Sequence, residues 1–207
     1  MTKLKMPRAS TAIDMTPMVD VAFLLVTFFI LTTQFRPDEP VQVQMPSSTS
    51  MTQPQEKGNL TITIAPDGRI FFDLDNQNYR RELIQRMGET YGINFTLDEI
   101  NAFVVGSSIG MPMNQLKSFL ALPPEDRRKV EQPGIPADTT KSLANELYYW
   151  LENGRRAGNN PVILIKGDLN ATYPAVRNVF ETLALSKVNK FGLITADEMP
   201  PPPDALK

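Results

Sequence analysis

One long apolar stretch constrains this chain more than any other feature. Between Met15 and Phe35 the only ionisable residue is Asp20, and most of the other side chains are apolar. About 20 helical residues at 1.5 Å each cover a hydrocarbon core of roughly 30 Å, whereas core helices of soluble domains are usually shorter. The sequence therefore predicts a transmembrane helix over residues 16–35, preceded by a short segment of residues 1–15.

Asp20 is the residue of this stretch that points to a function. A carboxylate at the centre of a membrane helix costs about 2.5–3.5 kcal/mol, so a residue of this kind is usually functional. An apolar medium favours the neutral form of a carboxyl group, which would let Asp20 bind a proton on one side and release it on the other. The alternative is a carboxylate at the level of the lipid headgroups, where the positive end of the helix dipole stabilises it.

Two threonines share the helix side of Asp20. Thr16 and Thr27 lie four residues before and seven residues after it, which is helical spacing. Thr16 is also predicted as the N-cap, because Pro17 suits a first helical position. A polar stripe should face protein or a wet cavity rather than lipid. One helix with one carboxylate cannot form a proton path alone, so we expect a multi-helix partner or several copies of the chain.

The flanking charges predict the orientation of the helix. Lys3, Lys5 and Arg8 precede the apolar stretch, and basic residues in a short flank tend to stay in the cytoplasm. The amino terminus is therefore predicted inside and the remainder outside. A cleaved signal peptide is the alternative, but the stretch exceeds the usual signal core of about 7–15 residues and no small-x-small cleavage site follows it.

Composition excludes several classes of function. The chain has no cysteine and no histidine, which removes disulfides, thiol catalysis, Cys/His zinc sites and His-based triads. Its 21 basic and 23 acidic residues nearly cancel, so no nucleic-acid partner is indicated. The glycine-rich stretches match neither phosphate-binding fingerprint. We therefore predict that the chain is not an enzyme and binds no metal or cofactor.

Residues 36–59 read as a polar linker outside the membrane. Within it, Val41, Val43 and Met45 alternate with glutamines and are followed by Pro46. This period of two is typical of an extended strand, which could dock on a sheet edge of a partner or a second copy. A plain tether is the alternative.

Residues 60–197 are predicted to form a small α+β domain with a mixed sheet. A hairpin with its turn at Pro66-Asp67-Gly68 comes first. An amphipathic helix is predicted over residues 136–153, with Leu143 and Trp150 on its inner face and Gly154 at its exit. A strand, a helix and a strand then form a parallel βαβ unit, with helices on one sheet face. Residues 76–135 read as a helical insertion, and residues 198–207 as a Pro-rich tail.

Three stretches resemble a known family. DMTPMVDVAFLLVTFFILTT, residues 14–33, resembles the signature of the ExbD/TolR family of biopolymer transport proteins. VQVQMPSS, residues 41–48, is similar to the V-x-V-x-Leu-Pro segment of that family, with Met45 in place of leucine. The third is VILIKGDLNATYPAVRNVFETL, residues 162–183, which carries Lys166, Asp168 and Tyr173 at the matching positions.

The resemblance implies a bitopic protein of the bacterial inner membrane with a periplasmic carboxyl-terminal domain. It implies that Asp20 is the proton-carrying residue of an energy transducer driven by the proton-motive force, with work such as TonB-dependent transport across the periplasm. The implied partners are a polytopic ExbB/TolQ-like protein, a TonB-like periplasm-spanning protein and a second copy in a homodimer. The alternative is a passive, membrane-anchored periplasmic binding module, for example one that binds cell wall as TolR does.

Overall fold

The computed structural model describes residues 15–32, 39–48 and 58–197. The chain divides into two units, Met1–Arg36 and Pro37–Lys207. In the first unit, α1 covers Thr16–Thr32, and none of its residues is buried. The helix begins at Thr16 rather than after it, because the amide of Val19 donates to the carbonyl of Met15 at 3.0 Å. Among the described residues, no helix combines the length and the apolarity that a membrane crossing needs.

The second unit is α+β with a mixed sheet, as predicted. Its elements are β1 Ser47–Ser48, β2 Asn59–Ile64, β3 Ile70–Leu74, α2 Gln77–Tyr91, α3 Leu97–Val105, α4 Met113–Leu120, α5 Pro124–Arg127, α6 Glu146–Ala157, β4 Val162–Gly167, α7 Tyr173–Leu185, β5 Gly192–Ile194 and β6 Ala196–Asp197. The four-stranded sheet has the order β3-β2-β4-β5, with β2 antiparallel to β3 and parallel to β4, and β4 parallel to β5. A separate parallel pair joins β1 to β6.

The core lies on one face of this sheet. Alternate strand residues such as Leu60, Ile62 and Ile165 point into it, and the buried residues of α2, α3, α4, α6 and α7 complete it. Trp150 of α6 is fully buried, and its ring centroid lies 5.5 Å from that of Phe72 on β3. The period-two pattern of the hairpin and the βαβ spacing therefore predicted the helices on one sheet face correctly.

The predicted insertion, residues 76–135, is helical and covers the outer edge of β3. Phe72 and Ile109 exchange two backbone hydrogen bonds of 2.8 Å, and the amide of Ile135 donates to the carbonyl of Ile70 at 2.8 Å. An open strand edge invites pairing with other chains. Residues 76–135 thus cover one edge of the sheet, and their being an insertion stays a prediction.

Arg80 fastens this insertion to the sheet. Its buried guanidinium pairs with Asp73 of β3 and donates to the carbonyls of Phe103 at 2.7 Å and Ser107 at 2.8 Å. The same group lies 4.9 Å from the centroid of the Phe103 ring. Burial lowers the pKa of Arg80, and Asp73 opposes that shift.

The helix predicted over residues 136–153 is wrong in its bounds. Residues 136–145 are irregular, and α6 begins after Asn145, whose side chain accepts from the amide of Tyr148 at 3.2 Å. Leu143, placed on the inner face by its spacing, is 60% exposed. Gly154 lies inside α6, where an added Cβ would approach the Phe72 ring to 2.8 Å. The glycine therefore allows close packing of helix on strand rather than ending the helix.

Candidate functional site

The first candidate site is the polar stripe of α1, formed by Thr16, Asp20 and Thr27. Helical geometry brings the three side chains to one side of an apolar helix, as the spacing predicts. Asp20 is exposed, and its carboxylate makes no hydrogen bond or ion pair with any described residue. The stripe thus presents one ionisable group without a partner in the described part of its own chain.

The Thr27 hydroxyl is engaged by its own helix. It donates to the carbonyls of Phe23 at 3.0 Å and Leu24 at 2.9 Å. Thr32 bonds its own helix in the same way, with 2.9 Å to the carbonyl of Phe28. This local bonding is common for threonine in helices. Thr27 therefore does not contact Asp20, and its part in the site stays a prediction.

The second candidate site is the docking arm, residues 39–48, in the second unit. The amide of Gln44 donates to Oδ2 of Asp168 at 2.6 Å, and its carbonyl accepts from the amide of Leu169 at 3.0 Å. Further along, the carbonyl of Pro46 accepts from the amide of Ala196 at 2.9 Å, and β1 then pairs with β6. The arm is thus held by a chain of backbone hydrogen bonds along its own domain.

The side chains of the docking arm alternate as its sequence suggests. Val41, Val43 and Met45 are half-buried, whereas Gln42 and Gln44 are exposed. Pro46 is half-buried as well. The arm was predicted to dock on a partner or a second copy, and that role stays a prediction. Within one copy, the apolar side of the arm lies toward its own domain.

The comparison with known families decides what kind of protein carries these two sites. The model of the family described as biopolymer transport protein ExbD/TolR matches residues 6–198. The chain belongs to this family. No curated protein and no solved structure matches the chain.

Two ExbD/TolR residues that sequence reasoning underrated are Lys166 and Asp168. By residue type and position alone they fit a solvated pair in a strand-end turn, but both contact the docking arm. Lys166 lies 2.7 Å from the carboxylate of Glu39, and buried Asp168 accepts from the amides of Gln44 and Asn170. The available signal was the family resemblance, which included residues 41–48 and residues 162–183 but did not indicate that the two stretches contact each other.

Chemistry at these sites is limited to charge and hydrogen bonding. Within the described ranges, no group of acidic side chains could hold a metal ion. Asp20, Lys166 and Asp168 supply one isolated carboxylate and one pair of arm contacts.

Proposed function

We propose that this chain is the bitopic inner-membrane subunit of an energy transducer driven by the proton-motive force. In this proposal Asp20 carries protons, and the second unit, Pro37–Lys207, is the outer domain that delivers the resulting work across the periplasm, as in TonB-dependent transport. The observation that carries it is the lone carboxylate on an apolar helix in a member of the ExbD/TolR family.

The apolarity of α1 and its surroundings in the sequence support a membrane position. The helix has 17 residues, and every large apolar side chain from Met18 to Leu31 is exposed. The apolar stretch of the sequence runs on to Phe35. At 1.5 Å per residue, the predicted span of residues 16–35 would cover about 30 Å, the thickness of a hydrocarbon core. Lipid would then cover a surface that water would otherwise meet.

The unpartnered carboxylate supports the need for a second protein. Asp20 has no hydrogen-bond partner in the described part of this chain, and hydrocarbon offers none. We propose that a polytopic ExbB/TolQ-like protein surrounds the helix, with two copies of this chain in the complex. Each proton crossing would supply about 2.3 kcal/mol per 100 mV.

The docking arm supports a route from the helix to the outer domain. It follows α1 in the chain, and Asp168 and Lys166 hold it on the second unit. We propose that Val41, Val43, Met45 and Pro46 form the docking strand that transmits motion, and that a TonB-like periplasm-spanning protein receives it. The amino terminus lies in the cytoplasm and the second unit in the periplasm. Enzyme activity has no place in this proposal.

Replacing Asp20 by asparagine tests the proposal. Asp20→Asn keeps the size and polarity of the side chain but cannot carry a proton. We expect loss of proton-driven transport in cells, with unchanged amounts of the chain in the inner membrane and unchanged co-purification of its polytopic partner. Full transport by Asp20→Asn would contradict the proposal and leave the passive, anchored binding module.

Two threonines of α1 allow a matched test of the polar stripe, with Thr27 as the tested position and Thr32 as its control. Thr27 lies on the side of Asp20, whereas Thr32 lies about a third of a turn away, and both hydroxyls bond their own helix. We expect Thr27→Val to reduce transport partly and Thr32→Val to leave it unchanged. Equal effects of the two variants would remove Thr27 from the proposed site.

A further inference from the structure

Residues 102–132 form most of an open cavity, which Arg69 and the first two residues of the docking arm, Glu39 and Pro40, also line. The cavity has a volume of about 620 Å³, within the usual range of about 300–1,000 Å³ for ligand sites. Its floor is apolar and consists of the buried side chains Phe103, Ile109, Phe119 and Leu120. An apolar floor of this kind would bind a hydrocarbon or aromatic group.

A guanidinium without a carboxylate partner lies in the wall of this cavity. Arg127 is half-buried, and it donates from Nε to the carbonyl of Leu122 at 3.0 Å and from Nη1 to that of Ala102 at 3.2 Å. It contacts no acidic side chain within the described residues. Because arginine has five N–H donors, several remain for a ligand.

Three arginines line the cavity, and Arg69 shows the contrast with Arg127. Arg69 also lines the cavity, but it pairs with Asp67 at 2.5 Å and with Glu131 at 3.0 Å. Its charge is thus balanced within the chain. Arg127 is left with the positive charge that an anion would balance.

Two hydroxyl groups add donors of the right kind. Ser107 and Ser108 line the cavity and are half-buried, and neither hydroxyl makes a hydrogen bond within the described part of the chain. Carboxylates accept hydrogen bonds from both hydroxyls and guanidinium groups. The cavity therefore combines an apolar floor with donors suited to a carboxylate.

We propose that this cavity binds a carboxylate attached to an apolar body, supplied by the carboxyl end of a peptide or by a free organic acid. The apolar body lies on Phe103 and Phe119, and the carboxylate accepts from Arg127 and the two serines. This site is separate from the polar stripe and from proton transfer.

The single tryptophan of the chain reports on this cavity. Trp150 is the only tryptophan, it is fully buried, and its ring centroid lies 6.0 Å from that of Phe103, which lines the cavity. A ligand that settles on Phe103 should change the emission of Trp150. Trp150 fluorescence therefore shows whether a ligand whose binding is measured by calorimetry lies in this cavity.

The experiment titrates the full-length chain in dodecyl maltoside by isothermal calorimetry and Trp150 fluorescence. The probes are N-acetyl-leucylphenylalanine, its carboxyl-terminal amide and 4-phenylbutyrate. We expect the dipeptide acid to bind at least tenfold more tightly than its amide, because charge-assisted hydrogen bonds are the stronger ones. Binding of the dipeptide acid alone supports a peptide source, and binding of 4-phenylbutyrate as well supports the shared chemistry.

Variants at the wall and the rim complete the test. Arg127→Gln should weaken binding about tenfold or more. Val130, 38% exposed at the rim, allows a test that does not disturb packing: Val130→Asp should weaken binding, and Val130→Lys should not. Arg156→Gln on α6 is the control and should change nothing. The proposal is overturned if neither acid binds, if acid and amide bind equally, or if Arg127→Gln and Val130→Asp both bind like the parent chain.

Discussion

The helix α1 and the outer domain use apolar and charged side chains in opposite ways. The outer domain buries its apolar residues, and its buried Arg80 has an acidic partner and two carbonyls within the same chain. In α1 no residue is buried, and Asp20 has no partner among the described residues. A charge removed from water needs a partner wherever it lies. One region supplies that partner itself, whereas Asp20 has none among the described residues, and the proposed function assigns it one from another molecule.

The largest expected effect is on the free energy of unfolding, which should fall when an apolar side chain is removed from the outer domain but not when one is removed from α1. Trp150→Ala removes a fully buried ring from the core and should lower the free energy of unfolding of the outer domain by about 3–5 kcal/mol. Leu24→Ala in α1 removes an exposed side chain and should leave that value unchanged. Urea unfolding of the full-length variants, followed by circular dichroism, measures both. A comparable loss in Leu24→Ala would show that α1 contributes to the domain core.

The next effect tests how much the partners of the buried Arg80 guanidinium contribute to the free energy of unfolding. Arg80→Met leaves two carbonyls unsatisfied and Asp73 unpaired, so we expect a loss of about 2–3 kcal/mol in the free energy of unfolding. Arg86→Met is the control, because its pair with Glu82 is a half-exposed helix pair worth about 0.3–0.5 kcal/mol. Equal losses in the two variants would contradict the role of Arg80 in fastening the insertion.

A smaller effect is expected where the docking arm meets the outer domain. Asp168→Asn weakens the charge-assisted bonds to the amides of Gln44 and Asn170, at a cost of about 1 kcal/mol. The amide of Gln44 should then exchange hydrogen for deuterium faster, by mass spectrometry, while β2 exchanges as before. Lys166→Met breaks only a contact with exposed Glu39 and should have less effect. Unchanged exchange in Asp168→Asn would mean that Asp168 does not hold the arm.

Much of the fold could be predicted because its patterns are local. The alternation of apolar and polar residues in β2 and the turn after it predicted the β2–β3 hairpin. The spacing of strand, helix and strand predicted the parallel β4–α7–β5 unit. The start of α6 was wrong because Leu143 fits the helical spacing, whereas Asn145 caps the helix three residues before Tyr148. The choice between those two signals depends on contacts made far along the chain.

The candidate sites divide in the same way. Asp20 could be predicted as a site residue because an acid in an apolar stretch is a local anomaly, and its role stays a prediction. The contact between Gln44 and Asp168 spans 124 residues and left no local pattern. Arg127 stands in a stretch of mixed charge that fits a solvated helix face. Its carbonyl partners, and the lack of an acidic partner among the described residues, become visible only in the fold.

The smallest effect concerns a half-buried acid that the outer domain keeps close to its core. Glu146 accepts from the amide of Met113 at 2.8 Å, and burial raises the pKa of its carboxyl above the ordinary 4.5, while the Met113 bond opposes the shift. The folded chain then holds a proton that the unfolded chain releases. The stability that this proton contributes is complete below pH 4.5 and is lost as the pH rises through the folded pKa.

Glu146→Gln keeps the acceptor for Met113 but removes this titration. We therefore expect the variant to gain in free energy of unfolding, relative to the parent chain, as the pH is raised from 4 toward 7. Urea unfolding across that range measures the difference, and Glu125→Gln, at an exposed position of α5, is the matched control. A difference that shrinks with rising pH would contradict the sign. It would mean that the hydrogen bond from Met113 outweighs the effect of burial on the Glu146 carboxyl.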